Sequence, residues 1–351
     1  MVDKIRYHAQ RVWYSLCKRL GLMTRMEYEE AKDCLRREFR QFQDSTIMVA
    51  HNGSWFRREF IKYFDENKEH LHEKYLHLID GLDEESCGTL QLALSRLMAL
   101  YRLKSRGRSV KFELTSHEML MRKKVADELD SKIIKFSDGL FAYKNWLLPH
   151  WEIHAEAFFY KHFIEELGCL QKIRGRDILD AGGFIGDSAL VLQDYTDKKV
   201  YSFDPNPKNI DMMLKTVRLN NSGKIVPVAL GLGDMEETLR MSADHVSGFE
   251  SFSDCGASVN ITTLDKWAAE SGADIGLIKV DIEGYEQKFL KGALETIKRH
   301  RPAMLLCVYH NPSDLFEIKP FIEGLGLGYR FKVRQPVGHY IGEMTLVCEP
   351  T

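Results

Sequence analysis

The sequence predicts an α/β fold: a seven-stranded, mostly parallel sheet with helices on both faces, preceded by an α-helical region. Three observations predict it. Beyond about His150, short β-rich runs alternate with amphipathic helical stretches, the pattern of a parallel sheet covered on both sides. The first five runs are separated by insertions of helix length or longer, which parallel neighbours need for their crossovers. The last two are joined only by Arg334 to Glu343, too short for a helical crossover and suited to an antiparallel hairpin, so one edge strand is expected to be reversed. The predicted division is an α-helical region at 1–149 and a sheet-bearing domain at 150–351.

The helical region is read from its periodicity. Thr24 with Glu27 forms a capping box, and Tyr28, Ala31, Leu35, Phe39 and Phe42 follow three or four residues apart on one stripe. A second pattern runs through Phe60, Phe64, Leu71, Tyr75 and Leu78, and a third through Leu90, Leu94, Leu97, Met98 and Tyr101. Turn-like Asp80-Gly81 and Cys87-Gly88 steps separate them, and Gly107 closes the third. Ser105 to Lys111 is basic enough for an exposed connection. The apolar stripes require that these helices pack against something; lid, acceptor recognition and homo-oligomerisation are the roles open to them.

The seven strands are Ile178 to Ala181, Val200 to Phe203, Ile225 to Leu230, Ile275 to Val280, Ala303 to Tyr309, Tyr329 to Val333 and Met344 to Cys348. The first ends in Asp180-Ala-Gly-Gly-Phe-Ile-Gly-Asp187, where Gly182, Gly183 and Gly186 lead into a helix that presents free amides and the positive end of its dipole. A nucleotide-like cofactor fits there. The glycine spacing does not match G-x-G-x-x-G, which argues against a dinucleotide and so against an NAD-dependent dehydrogenase. Asp180 is expected to aim a carboxylate into the loop, toward a ligand bearing positive charge. The second strand closes with Asp204-Pro-Asn-Pro207, placing Asp204 where an acidic group accepts hydrogen bonds from ribose hydroxyls. Taken singly, a tight turn and a helix-capping aspartate explain these pieces equally well.

In Ile278-Lys-Val-Asp-Ile-Glu-Gly-Tyr-Glu286, strand alternation puts Lys279, Asp281 and Glu283 on one side. Three charges at the end of a buried strand are costly unless paired or used, and a structural salt bridge from Lys279 is the plainer alternative. The next strand brings His310 to the same edge, where a neutral imidazole can take a proton from an attacking hydroxyl.

Composition bounds the function. With 49 Lys+Arg against 51 Asp+Glu, the net charge of −2 supplies no field for polyanions, which argues against nucleic-acid binding. The seven cysteines are scattered and never form C-x-x-C, so neither a disulfide framework nor a zinc ribbon is indicated. Met1 to Leu20 contains no uninterrupted apolar signal segment and no stretch is long enough for a membrane span, so a cytoplasmic setting is expected. The histidine-rich run Glu69 to His77 lacks H-E-x-x-H spacing and reads as a solvated helix face. Gly324 to Gly328 reads as a helix end, and Trp146 to Trp151 as packing residues placed to wall an acceptor pocket.

Taken together, D-x-G-x-x-x-G at Asp180, F-D-P-x-P at Phe203, Val228-Ala229-Leu230, Thr263-Leu264-Asp265 and I-K-V-D-I-E-G-Y-E at Ile278 resemble the FkbM-type methyltransferases of the class I S-adenosylmethionine-dependent fold. The resemblance covers about residues 150 to 350, with two departures: Gly183-Phe184 stands where members carry Ala-Asn, and Val308 where an acidic residue is expected. It implies a Rossmann-like, doubly wound seven-stranded sheet with an antiparallel last strand. It implies S-adenosylmethionine bound by Asp180, Gly182, Gly183, Gly186, Asp204 and Ala229, and transfer of a methyl group to a hydroxyl of a sugar, glycan or secondary metabolite. His310 is the expected general base, with Lys279, Asp281 and Glu283 beside it; Asp281 and Glu283 orient the acceptor or, as a second option, hold a divalent metal, although no metal site is assigned. A cofactor-binding scaffold without turnover is the alternative function.

Overall fold

In the computed structural model, which describes residues 47–50, 55–102, 110–241, 257–339 and 341–351, the seven apolar runs are strands of one sheet. They are β1 (Asp177–Ala181), β2 (Val200–Phe203), β3 (Ile225–Val228), β4 (Ile275–Val280), β5 (Ala303–Cys307), β6 (Tyr329–Arg334) and β7 (Thr345–Pro350), in the spatial order β6-β7-β5-β4-β1-β2-β3. Five are parallel. β7 is antiparallel to both β5 and β6. This corrects the expected edge reversal: the reversed strand is interior, and β6, running with the parallel set, forms the edge. The short 334–343 link makes the hairpin, and its two partners flank β7. The chain starts in the middle of the sheet, builds β2 and β3 to one side and then crosses to β4 and β5, so β1 and β4 bound a topological switch point, the place where open α/β sheets bind ligands.

Strand alternation splits the core into two faces. Leu179, Phe203, Ile278, Leu306 and Val333 contribute to one apolar cluster, and Ile178, Val200, Leu277, Leu305 and Val347 to the other. On the first face α1 (Trp55–Glu66) and α2 (Leu71–Ile79) pack on the helix Pro312–Gly324 and α3 (Glu84–Arg102) meets β6, with Phe60, Phe64, Leu78, Leu90, Ala93 and Leu97 in the same apolar cluster as the strands. The second face is covered by α4 (Asp187–Leu192) and the segment from Trp146 to Ile173. The α1–α3 helices therefore share an apolar core with the sheet. Ser86 ties them to it: its Oγ accepts hydrogen bonds from Val333 N (2.8 Å) and Arg334 Nη1 (2.9 Å).

Other expectations for the first 149 residues need correction. The second pattern is two helices, separated by a turn at 67–70, and Cys87-Gly88 lies inside α3. The region is not purely helical: Ile47–Ala50 pairs with Val110–Glu113, and Ile134–Ser137, Leu140–Tyr143 and Trp146–Leu148 form an antiparallel sheet. The signals for those short strands are three or four residues long and lie amid charged neighbours. The Thr24 helix and Gly107 lie outside the described residues. A further three-stranded sheet, Gly231–Leu232 with Glu237–Met241 and Ala257–Thr262, follows β3 and was not anticipated.

Candidate active site

A cavity of about 450 Å³ opens at the carboxyl ends of β1, β2 and β4, within the range of small-molecule sites. Its wall on the sheet side is built by Gly182, Phe184, Asp187, Asp204, Lys279, Asp281 and Glu283. The opposite wall comes from Glu152, His154, Glu156 and His162, ahead of β1, and from His339 and Glu343 in the β6–β7 connection.

Beneath it, the register of the sheet places Lys279 beside Asp180 and Asp180 beside Ser202. The Lys279 ammonium lies 3.3 Å from Asp180 Oδ1 and 4.0 Å from Asp281 Oδ2, and it donates to Gly182 O at 2.9 Å. Ser202 Oγ donates to Asp180 Oδ2 at 2.7 Å. Burial works against the charge on Lys279, but Asp180 and Asp281 outweigh it and hold the ammonium protonated. Asp180 is fully buried and is not part of the cavity wall, so the expected carboxylate aimed at a ligand is instead the partner of Lys279. The salt-bridge alternative describes this row.

The glycines have similarly local reasons. Gly182 has φ +81°, and a Cβ there would stand 1.7 Å from Asp281 O; at Gly183 a Cβ would stand 2.0 Å from Ser202 Oγ. They let the loop close on β4 and β2. Gly182 lines the cavity; Gly183, Gly186 and the exposed Ala229 do not.

Asp204 holds its expected position at the end of β2 and faces the cavity. Its carboxylate accepts hydrogen bonds from Asn206 N (2.8 Å), Phe184 N (3.1 Å) and Asn209 Nδ2 (3.1 Å). Burial pushes its carboxyl up to about 6, against the pull of those donors. Three of the roughly four acceptor sites of a carboxylate are thus taken, leaving one for a ligand. Asn206 in turn caps α5 (Pro207–Leu219), whose Pro207 occupies the first turn.

His310 is displaced from its expected role. It is 2% exposed and absent from the cavity wall, with Nδ1 2.9 Å from Glu286 Oε1 and Nε2 3.5 Å from Asp281 Oδ1 and 3.4 Å from Glu283 Oε2. Burial opposes its charge, but Glu286 and then Asp281 and Glu283 push its pKa up to about 10. Buried behind the cavity wall among carboxylates that favour its protonated form, His310 is poorly suited to take a proton from a hydroxyl. Sequence reading had no means to see Glu286 converge on it.

Glu343 is the acid that sequence reading missed. Burial, then the charges of Asp281 and Glu156, push its carboxyl up to about 7, and Tyr309 Oη donates to it at 3.1 Å. Glu343 adopts φ 61°, Phe184 φ 45°, His162 φ 50° and Glu283 φ 56°, so four cavity residues carry side chains on left-handed backbone. Such conformations cost about 1–3 kcal/mol each and cluster at functional sites. The density of histidine and glutamate between His150 and His162 was the available signal for the opposite wall. His162 is held neutral, its pKa pulled down to about 4 by burial and by Lys279, whereas Asp187, 3.7 Å from His154, lifts that histidine to about 9 against the effect of burial. Trp146 packs against Tyr143 and Phe158, and Trp151 is exposed; neither walls the cavity. Thr263 caps the helix Leu264–Ser271, and Asp265 accepts from Glu295 N and Thr296 N, so that motif joins two helices.

The methyltransferase FkbM domain family matches residues 180–331, from the end of β1 into β6. Over those residues the chain resembles the FkbM methyltransferases. Its fold is that of the class I methyltransferases, and among solved structures it is similar to the FkbM methyltransferase from Methylobacillus flagellatus KT, with a TM-score of 0.52 and 16% identity over 85% of this chain. The match spans 63% of that protein's length. An rRNA methylase from Streptococcus thermophilus (12% identity, 51% of this chain, 89% of that one) and a precorrin 8W decarboxylase from Methanobacterium thermoautotrophicum (13%, 55% and 90%) each superpose with a TM-score of 0.35, too low to carry an argument. No curated protein matches the chain. The FkbM match ends before Glu343 and begins after the 152–162 wall, so seven of the 24 residues lining the cavity lie outside it. Among the described residues, no helix is long and apolar enough to cross a membrane.

Proposed function

We propose that the chain is an S-adenosylmethionine-dependent O-methyltransferase acting on a hydroxyl of a sugar, glycan or secondary metabolite. The observation that carries this reading is the cavity at the switch point of an FkbM domain, with Asp204 on its wall and Lys279 in its floor. The residues fit the cofactor: Asp204 retains one acceptor site for a ribose hydroxyl, and Asp187, Asp281 and Glu283 present negative charge to a cationic sulfonium and ammonium. When bound, S-adenosylmethionine supplies a methyl group already activated for displacement.

The chain's part is to align the acceptor hydroxyl and take its proton. Glu343 is suited to that. Its carboxyl titrates near neutrality, faces the cavity and is oriented by Tyr309. Glu152 and Glu156 add further carboxylates, which accept hydrogen bonds from hydroxyls and repel phosphates, a lining that supports a polyhydroxylated acceptor over a nucleic acid. The localisation consistent with this reading is the cytoplasm, where the cofactor would be supplied.

The test is transfer of a labelled methyl group from S-adenosylmethionine to a panel of sugars and hydroxylated metabolites. Labelling of a hydroxyl is expected, with Glu343→Gln lowering turnover by about 10²–10⁴-fold and leaving S-adenosylhomocysteine affinity unchanged. Cofactor binding without transfer to any acceptor would instead support a scaffold role, and competitive binding of NAD a dehydrogenase.

A further inference from the structure

Behind the cavity wall, one histidine and three carboxylates converge. His310 and Glu286 are 2% and 1% exposed, and one atom from each of Asp281, Glu286 and His310 lies within 4.8 Å of the others. Two buried atoms in this group have no hydrogen-bond partner: Nε2 of His310 and Oε2 of Glu286. Oε1 of Glu286 is occupied, by Ile282 N at 3.0 Å and His310 Nδ1 at 2.9 Å. Nε2 instead faces Asp281 Oδ1 at 3.5 Å and Glu283 Oε2 at 3.4 Å, without hydrogen-bond geometry to either.

Each of these two separations from Nε2 is that of a pair of ligands on one ion. Two ligand atoms each about 2.1 Å from one metal, at a tetrahedral angle, are about 3.4 Å apart. Moreover, a metal-binding imidazole characteristically gives its other nitrogen to a carboxylate, which fixes the ring and its tautomer. Glu286 on Nδ1 has that relation to His310. The backbone of Glu283, held at φ 56°, presents its side chain beside the ring.

We propose that this cluster is a binding site for one divalent transition-metal ion, with His310 Nε2 and the carboxylates of Asp281 and Glu283 as ligands and Glu286 as the residue that orients the ring. One imidazole with two carboxylates suits ions such as Mn²⁺, Co²⁺ or Zn²⁺. The ion takes the place of the Nε2 proton. Because Asp281 and Glu283 also line the cavity, an ion between them is adjacent to whatever occupies it, where a metal lowers the pKa of a hydroxyl. That use rests on the methyl-transfer reading; the binding does not.

The test uses the full-length protein, stripped with a chelator and titrated with MnCl₂ while free Mn²⁺ is followed by electron paramagnetic resonance, and with CoCl₂ followed by visible absorption. One ion per chain is expected, with absorption bands of a low-symmetry Co²⁺ site. His310→Ala should weaken binding at least 100-fold and Glu286→Gln about 10–100-fold, the usual effect of removing an orienting partner. Asp281→Asn serves as a second ligand variant should His310→Ala fail to fold. Absence of Mn²⁺ and Co²⁺ binding by folded wild-type protein, or binding that folded His310→Ala or Asp281→Asn leaves unchanged, overturns the proposal and leaves His310 as a fixed cation among carboxylates. Neither titration needs S-adenosylmethionine, so failure here is separable from failure of the cofactor reading.

Discussion

Lys279→Met is the substitution whose cost the structure defines most closely. The ammonium is 2% exposed, and its partner Asp180 is fully buried at 3.3 Å. Methionine fills nearly the same volume, so the loss is electrostatic and not a cavity. Removing one member of a buried pair costs about 3–5 kcal/mol, because the other charge is left uncompensated. Asp180 has one escape, which is to bind a proton. Burial pushes its carboxyl up, and Lys279 is the main influence pulling it down. Protonating an aspartate of ordinary pKa about 3.9 at pH 7 costs about 4 kcal/mol, at 1.36 kcal/mol per unit, and that sets the ceiling on the deficit. At pH 5 the same arithmetic gives about 1.5 kcal/mol. The sign follows from linkage: the folded variant keeps a proton that the unfolded chain releases above its ordinary pKa, so the variant's stability falls as pH rises. Urea unfolding followed by tryptophan fluorescence and circular dichroism, at pH 5 and pH 7, measures both values. Lys279→Met/Asp180→Leu, which removes the stranded carboxyl, is expected to recover most of the loss. A pH-7 deficit below about 1 kcal/mol, or one that does not shrink at pH 5, would refute the buried-pair reasoning.

Three further outcomes are expected. Methyl transfer should decline as pH falls below about 7, because Glu343 must be ionised to accept a proton, and Glu343→Gln should abolish that limb of the rate profile; the groups that set the midpoint are Asp281, Glu156, His339 and His310, with Tyr309 donating to the carboxylate. Gly182→Ala forces a Cβ against Asp281 O at a φ of +81° and should cost at least about 2 kcal/mol in a thermal melt, whereas Gly324→Ala, with nothing within 4 Å, should be nearly neutral. Ser86→Ala strands the Val333 amide and one Arg334 donor and should lower the urea midpoint by the equivalent of about 1–3 kcal/mol, which no loosely attached helical region would do.

The sheet was legible because its central strands are buried on both faces, and burial on both faces writes such a strand as an uninterrupted apolar run. Its one topological error, placing the reversed strand at the edge, arose because a short hairpin establishes that β6 and β7 are antiparallel but not which of them inserts beside β5. Asp204 was found because its position is local, at the end of its own strand. The surroundings of His310 and Glu343 were not legible because they are set by partners far along the chain: Glu286 and Glu283 surround the histidine, and Asp281 and Glu156 raise the glutamate. Phe60, Phe64 and Leu90 announced a packing stripe, yet only the structure shows that what they pack into is the apolar cluster on one side of the sheet. Removing residues 1–140 would therefore strip part of the cover from one face of the sheet, and loss of activity in such a truncation would not separate a lid from a core.

The cofactor pocket is tested most directly by calorimetric titration of the full-length protein with S-adenosylhomocysteine, with NAD as control, in wild type and in Asp204→Asn checked for folding by circular dichroism. Saturable binding of S-adenosylhomocysteine and none of NAD is expected, with Asp204→Asn weakening it about 10-fold, the scale of one hydrogen bond to a charged group. Well-folded protein that binds no S-adenosylhomocysteine, or binds it equally well without the Asp204 carboxylate, would contradict the assignment of this cavity to S-adenosylmethionine.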